Sequence, residues 1–372
     1  MRRVLLLGYF GAGNFGDDAL LADWLGAEQQ WLAQNELRAD VIYNGREPLA
    51  EFVEEDKLRP LIGELIPKRQ ALRIPLDGYE ALIAPGGSLL QDATSVRSVL
   101  YYLAVIRRFH RADIPVYLLN QGIGPLSSWL ASFLTPRYLA RTRLLTFRDR
   151  DSFRWAEKQR VLSRHSQMLL SADPILAGRL AKLPESATGL PAGEYTLVLP
   201  RATGDLPTAG DPTPEPEALA RLLSHTSAVT ELPVVLASLH RGRDELFCQD
   251  VAQYCQPAQV LALAGAEHRA SLIWTLISRA KLVISYRLHG LVVAAAHRCP
   301  ALGVAYDPKV TSFCEEAGYP YTFPATLHQQ TAMEDIQRLW TEREAVREHA
   351  LQQREQMLGR LKQAQERFHE LW

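Results

Sequence analysis

The sequence predicts an α/β protein of two domains, each a parallel sheet flanked by helices. Three observations predict it. Short apolar runs alternate with longer segments of helical periodicity along most of the chain. Those apolar runs repeatedly end in turns rich in glycine and polar residues, which suits strands whose carboxyl ends line a site. Regularity then lapses between about Leu183 and Glu194, a stretch of Pro, Gly and small residues that reads as a linker. The expected divisions are residues 1–182, residues 195–330 and a terminal helical segment, residues 331–372.

Composition narrows the class. Hydrophobic residues make up 47% and charged residues 22% of 372 positions, enough for two buried cores. The formal net charge of −1 gives no broad field for nucleic acid, so none is expected as a partner. Cys248, Cys255, Cys299 and Cys314 have neither C-x-x-C spacing nor a histidine at ligand spacing. Reduced, mostly buried thiols are expected, with no structural zinc and no other metal site. Arg2-Arg3 before Val4–Leu7 resembles the start of a signal peptide. The apolar run is too short, and it leads into a glycine turn, so it reads as a buried first strand. No stretch is long and apolar enough to span a bilayer.

The first strand, Val4–Gly8, leads into a loop running to Asp18. A helix starts near Asp17 or Asp18, with Leu20, Leu21, Trp24 and Leu25 in helical spacing. Gly11, Gly13 and Gly16 satisfy G-x-G-x-x-G, which raises a dinucleotide site as a rival. The next strand, Asp40–Asn44, should then end in an acid; it ends in Asn44-Gly45-Arg46. Only Arg46 offers a weak route to a phosphorylated cofactor. Two carboxylates at the helix start would also repel a pyrophosphate, whereas they suit sugar hydroxyls. Strand Glu80–Ala84 ends in Pro85-Gly86-Gly87-Ser88-Leu89-Leu90-Gln91-Asp92. A tight turn explains the glycines but not polar Ser88, Gln91 and Asp92. Helix Val96–Arg111 follows, then strand Pro115–Asn120 ending in Gln121-Gly122-Ile123-Gly124-Pro125. Strand Arg143–Phe147 ends in Arg148, with Asp149 or Asp151 available to cap the next helix. Ala172-Asp173-Pro174 reads as the stop of this domain.

The second half repeats the alternation. Its strands are expected at Tyr195–Leu199, Pro233–Ser238, Gln259–Leu263, Lys281–Ser285 and Ala301–Ala305. Arg201 follows the first, and Thr203–Pro216 reads as a long loop near the cleft. Ser285–Lys309 is the most informative block. One strand ends in Arg287 and His289, a small-residue helix spans Leu291–His297, and the next strand ends in Tyr306-Asp307-Pro308-Lys309. A right-handed crossover puts both strand ends on one edge, so Arg287, His289 and Lys309 are expected to meet in one crevice with a helix N-terminus. That is an anion site; the plainer alternative is two solvated cations and a helix-start histidine. Met333–Trp372 reads as one long helical pattern. A coiled-coil dimer is one reading; frequent heptad breaks favour a helix packing back across the domains. The possibility of a homo-oligomer stays open.

Five motifs together, in order over nearly the whole chain, resemble the polysaccharide pyruvyl transferases, most of all the CsaB type. They are G-Y-F-G-A-G-N-F-G-D-D-A-L, P-G-G-S-L-L-Q-D, N-Q-G-I-G-P, F-R-D-R-D-S and S-Y-R-L-H-G…Y-D-P-K. The resemblance implies a GT-B-like fold, two Rossmann-like domains with parallel sheets facing a central cleft. It implies transfer of pyruvate from phosphoenolpyruvate to a sugar as a ketal, without metal and with no cofactor beyond that co-substrate. Arg148, His289 and Lys309 match its functional basic positions, with Arg287 beside His289. Asn14, Gly16 and Asp17 match the loop facing the acceptor, and Gly86, Gly87, Ser88, Gln91 and Asp92 the second loop. Gln121 and Tyr306 lie within matching motifs and are expected to bind substrate. Arg201 is a weaker match, and the proline-rich insert before Glu217 has no counterpart.

His289 is the expected general acid or donor to the leaving phosphate. Asp17 is either a base for the acceptor hydroxyl or a plain helix cap. The main alternative is a GT-B glycosyltransferase using a nucleotide sugar, with Glu315 or Glu316 on the donor ribose. A non-catalytic interaction protein using the terminal helix is a third reading. The expected location is the cytoplasm. A lipid-linked glycan acceptor would bring the chain to the inner face of the plasma membrane without an anchor of its own.

Overall fold

The structure is a computed structural model that describes residues 2–45, 49–93, 95–161, 167–184, 187, 189–202, 216–255, 259–260, 268–323 and 330–372. Arg46 and the loop expected after Arg201 (203–215) lie outside the described residues.

Eight strands form the first sheet: β1 (Arg2–Phe10), β2 (Leu37–Tyr43), β3 (Ile62–Pro67), β4 (Tyr79–Ala84), β5 (Gly87–Leu90), β6 (Val116–Ile123), β7 (Leu144–Phe147) and β8 (Gln167–Leu170). Between them run α1 (Phe15–Ala27), α2 (Gln29–Gln34), α3 (Glu55–Leu58), α4 (Val96–Arg111), α5 (Trp129–Leu139) and α6 (Arg150–Lys158). The strand order is β3-β2-β1-β4-β6-β7-β8, with β5 also on β6. The paired strands are parallel, and β1 and β4 carry near-continuous apolar runs because both faces are covered.

Six strands form the second sheet: β9 (Thr196–Leu199), β10 (Val234–Leu236), β11 (Gln259–Val260), β12 (Leu282–Ser285), β13 (Ala301–Val304) and β14 (Tyr321–Thr322). Its helices are α7 (Pro216–Thr230), α8 (Arg243–Ala252), α9 (Arg269–Arg279), α10 (Leu288–Ala296) and α11 (Pro308–Ala317). The order β11-β10-β9-β12-β13-β14 repeats the logic of the first sheet, again in parallel. In each sheet the order reverses beside its first strand. The crevice at such a reversal is where open α/β sheets bind ligands. Here it gathers the turns after β1 and β4 in one half, and after β9 and β12 in the other.

Between β8 and β9 the described residues form no strand, and a 3-10 turn (Pro174–Ala177) is the one short helix there. That turn packs on α1 and α10. Through Ala172, Ile175 and Leu176 one apolar cluster continues from the first sheet into α10. The terminal segment is two helices, α12 (Gln330–Thr341) and α13 (Arg343–Leu371), broken at Glu342, and not the single helix its periodicity suggested. α13 spans both halves. Arg360 pairs with Glu316 in the second half. Gln365 and His369 bond Glu28 in the first, and Tyr117 donates to the Leu371 carbonyl (3.1 Å).

Candidate active site

The turn after β1 is stitched to the opposite half. The Phe15 N–H donates to the Leu239 carbonyl and the Arg241 N–H to the Gly13 carbonyl, each at 3.0 Å. α1 begins at Phe15, two residues earlier than its acidic start suggested, so Gly16, Asp17 and Asp18 are all in its first turn. Gly16 faces His289: a Cβ there would stand 1.8 Å from His289 Nδ1. Any side chain at that position would displace the imidazole.

Asp173 ties the site together, and its sequence context suggested only a domain stop. Its Oδ2 accepts from Arg148 Nη1 at 3.0 Å. His289 Nε2 lies 3.4 Å from the same oxygen, off the line of a good hydrogen bond, so that nitrogen has no proper partner within the described protein. Burial alone would raise the Asp173 carboxyl, but His289 and Arg148 hold it below its ordinary value. The signal was an Asp-Pro pair just beyond a strand end, on the same edge as the glycine turns.

Arg148 also donates to Ser88 Oγ at 2.8 Å. It lies across Gly122, where a Cβ would come 2.6 Å from Ser88 Oγ and 3.1 Å from Arg148 Nε. Asp17 is held by the Asn14 amide and lies beside Gly87. Burial pushes its carboxyl up, while His289, Asn14, Arg148 and Lys309 pull it down. Asn14, Gly16, Asp17, Gly87, Ser88, Arg148, Asp173, His289 and Lys309 thus form one cluster drawn from both halves. Lys309 sits in the first turn of α11, with its ammonium 3.1 Å from Asp307, the residue that caps that helix. Arg201 stacks over Tyr306 at 4.2 Å, joining the turns after β9 and β13.

Other expected site residues are engaged elsewhere. Arg287 does not project into the shared crevice as an unpaired cation. It forms a three-bond contact of 2.7–3.0 Å with fully buried Asp244, whose Oδ1 also accepts from the Ala202 N–H. Gln121 donates to the Ala84 and Leu119 carbonyls. Asp92 accepts from the Ser127 and Ser128 N–H groups, and Gln91 from the Ala93 N–H. Gly86 packs against Leu20, and Asp149 caps α6.

The rival readings meet specific obstacles. The Gly11 N–H, which a dinucleotide phosphate would want, donates to Asp18 Oδ1 at 2.6 Å. Asn44 donates to the Phe10 carbonyl at 3.0 Å. Glu316 is held by Arg150 and Arg360, and Glu315 accepts from Tyr321. Among the described residues no group of His, Cys, Asp and Glu is placed to hold a metal ion. Among the described residues no helix is long and apolar enough to cross a membrane.

Comparison with solved structures gives the fold class. The chain is similar to S. aureus MnaA in a co-structure with UDP (TM-score 0.64, 10% identity, covering 94% of this chain and 91% of that one). It is also similar to UDP-GlcNAc 2-epimerase from Neisseria meningitidis bound to UDP-GlcNAc (TM-score 0.60, 11% identity, 98% of both chains). A putative UDP-N-acetylglucosamine 2-epimerase from Listeria monocytogenes is a further likeness (TM-score 0.62, 9% identity, 94% of this chain and 90% of that one). At such identities these likenesses concern the fold alone, which is GT-B-like. No curated protein matches the chain. The family model for polysaccharide pyruvyl transferase matches residues 14–308, from the turn after β1 to the start of α11. The chain belongs to the polysaccharide pyruvyl transferase family.

Proposed function

We propose that this chain moves pyruvate from phosphoenolpyruvate onto two hydroxyls of a glycan, forming a ketal and releasing phosphate, in the manner of the CsaB type. The observation that carries the reading is the meeting of Arg148 and His289, one from each half, on the single carboxylate of Asp173. Phosphoenolpyruvate bears a phosphate and a carboxylate, so its site needs several cations. Arg148 and Lys309 supply charge and His289 a hydrogen-bonding ring, with Arg201 on Tyr306 at the rim. Arg287, turned toward buried Asp244 and the Ala202 N–H that shares it, serves to hold the turn between β12 and α10.

The reaction divides among these groups. A proton is delivered to the methylene carbon, which leaves C2 electron-poor. An acceptor hydroxyl oxygen bonds C2 and loses its proton; the C2–O bond to phosphate breaks; a second hydroxyl closes the ring and loses its proton. His289 is the acid or the donor to the departing phosphate, and cations placed where charge develops lower that barrier. Asp17, buried and with raised proton affinity, faces the acceptor side and takes a hydroxyl proton.

The test is phosphate release from phosphoenolpyruvate with a panel of glycan acceptors, wild type beside His289→Ala. Acceptor-dependent release should vanish in the variant while its melting temperature stays nearly unchanged. Unaltered release, or a large loss of stability, would remove His289 from the chemistry. Protection by a nucleotide sugar rather than phosphoenolpyruvate would point to a glycosyltransferase.

A further inference from the structure

A cluster of tyrosines near Asp17 plays no part in the donor chemistry above. Lys68 follows β3 directly, Tyr9 stands near the carboxyl end of β1, and Tyr101 and Tyr102 lie in the first half of α4. The Lys68 ammonium lies 5.4 Å from the Tyr9 ring centre, 4.9 Å from that of Tyr101 and 5.2 Å from that of Tyr102. The Tyr101 hydroxyl donates to the Lys68 carbonyl at 2.9 Å, fixing the lysine backbone to α4.

Rings hold an ammonium through their negative faces without cancelling its charge. Burial lowers the Lys68 pKa, and among the described residues no carboxylate offsets that. The cation is therefore partly stripped of water and lacks a counter-charge among the described residues. Tyr102 is 2% exposed, and its hydroxyl oxygen has no hydrogen-bond partner among the described residues. Burial and then the nearby Asp17 carboxylate push its phenol up, which places it next to the group assigned to the acceptor. Tyr9 is 40% exposed, a large ring face open at the same sheet edge. A cation without an anion, a buried hydroxyl without a partner and an open aromatic face match three parts of one ligand.

We propose that Tyr9, Tyr101, Tyr102 and Lys68 form the acceptor subsite, and that it takes a saccharide bearing a negative charge, with the sugar ring against Tyr9 and the anion on Lys68. The assignment rests on the transfer reading above only for which of the two substrates enters. The anion is a phosphate on the saccharide or a carboxylate of an acidic sugar.

Calorimetric titration of the full chain distinguishes these. The probes are matched hexose 1-phosphates, hexuronic acids and methyl hexosides in gluco, galacto and manno configuration, with phosphoenolpyruvate titrated separately. Wild type should bind one anionic class about ten-fold or more tighter than its methyl hexoside. Lys68→Ala should lose that preference, Lys68→Arg should keep most of it, and both should bind phosphoenolpyruvate as wild type does. Preference for the 1-phosphates or for the hexuronic acids names the source of the charge. Equal binding of charged and neutral probes, no binding of any probe, or an unchanged preference in Lys68→Ala overturns the proposal. Failure of wild type to bind phosphoenolpyruvate, with the anionic preference intact, would sink the transfer reading and leave the subsite standing.

Discussion

Gly16 is the residue against which His289 rests. The imidazole lies where a Cβ would be, so Gly16→Ala adds one methyl group and must move the ring. Alanine is at least as good a helix former as glycine, and the fold should hold. Displacement of about 1 Å can cost ~10²-fold in rate, so turnover should fall by about that much with the melting temperature nearly unchanged. Steady-state kinetics beside a thermal melt checks it; wild-type turnover would mean that His289 has room to spare. Asp18, in the same first turn of α1, gives a pH signature. Burial, reinforced by Asp17 and Glu51, raises its carboxyl from 3.8 to about 8. The folded state then holds a proton that the unfolded chain releases near 3.8. The contribution is full below that pH and is lost as pH rises toward about 8. Asp18→Asn keeps an oxygen for the Gly11 N–H and cannot ionise. Its stability should fall less between pH 5 and pH 8 than that of wild type, read from urea midpoints at both values. Parallel decline would show that Asp18 is ionised throughout. Residue types were legible here and partners were not. Asp17, Arg148 and His289 stand out as polar groups after strands. The pairings of Asp173 with Arg148 and of Asp244 with Arg287 are made only when distant turns come together.

At the scale of elements, legibility followed the strength of the local pattern. α4 has the bounds its periodicity predicts, because a strong amphipathic stripe leaves little choice. β5 was hidden: Gly87–Leu90 reads as a loop, and it is a strand because it pairs with β6. α10 starts at Leu288, not Leu291, putting His289 inside its first turn. The break at Glu342 carries no Pro or Gly to announce it. α13 buries one stripe, from Ala350 to Phe368, and its anchor is Phe368. That ring is 1% exposed, with its centre 5.1 Å from those of Trp31 and Tyr117. Phe368→Ala opens a cavity between helix and sheet and should cost about 3–5 kcal/mol. Chemical denaturation measures it, and a loss below about 1 kcal/mol would mean that the helix end is not load-carrying for the first sheet.

For the whole molecule, the double repetition of strand, polar turn and helix made two parallel sheets readable from the sequence alone. Each repetition is local. The closing of the cleft is not, because it depends on contacts between positions far apart in sequence, such as Phe15 with Leu239 and Ala270 with Glu51. No periodicity encodes those pairs; they follow from the shapes of two finished sheets.

The bond from Tyr117 to Leu371 joins positions 254 residues apart. On a ribosome adding roughly 5–20 residues per second, Tyr117 is made ~13–50 s before its partner. Through that interval the nascent first half presents Trp31, Tyr117 and the apolar face of β6 to solvent without their cover. The period of greatest exposure to chaperones and to aggregation therefore falls during synthesis, and the helix that ends it arrives with the last stretch of this sequence.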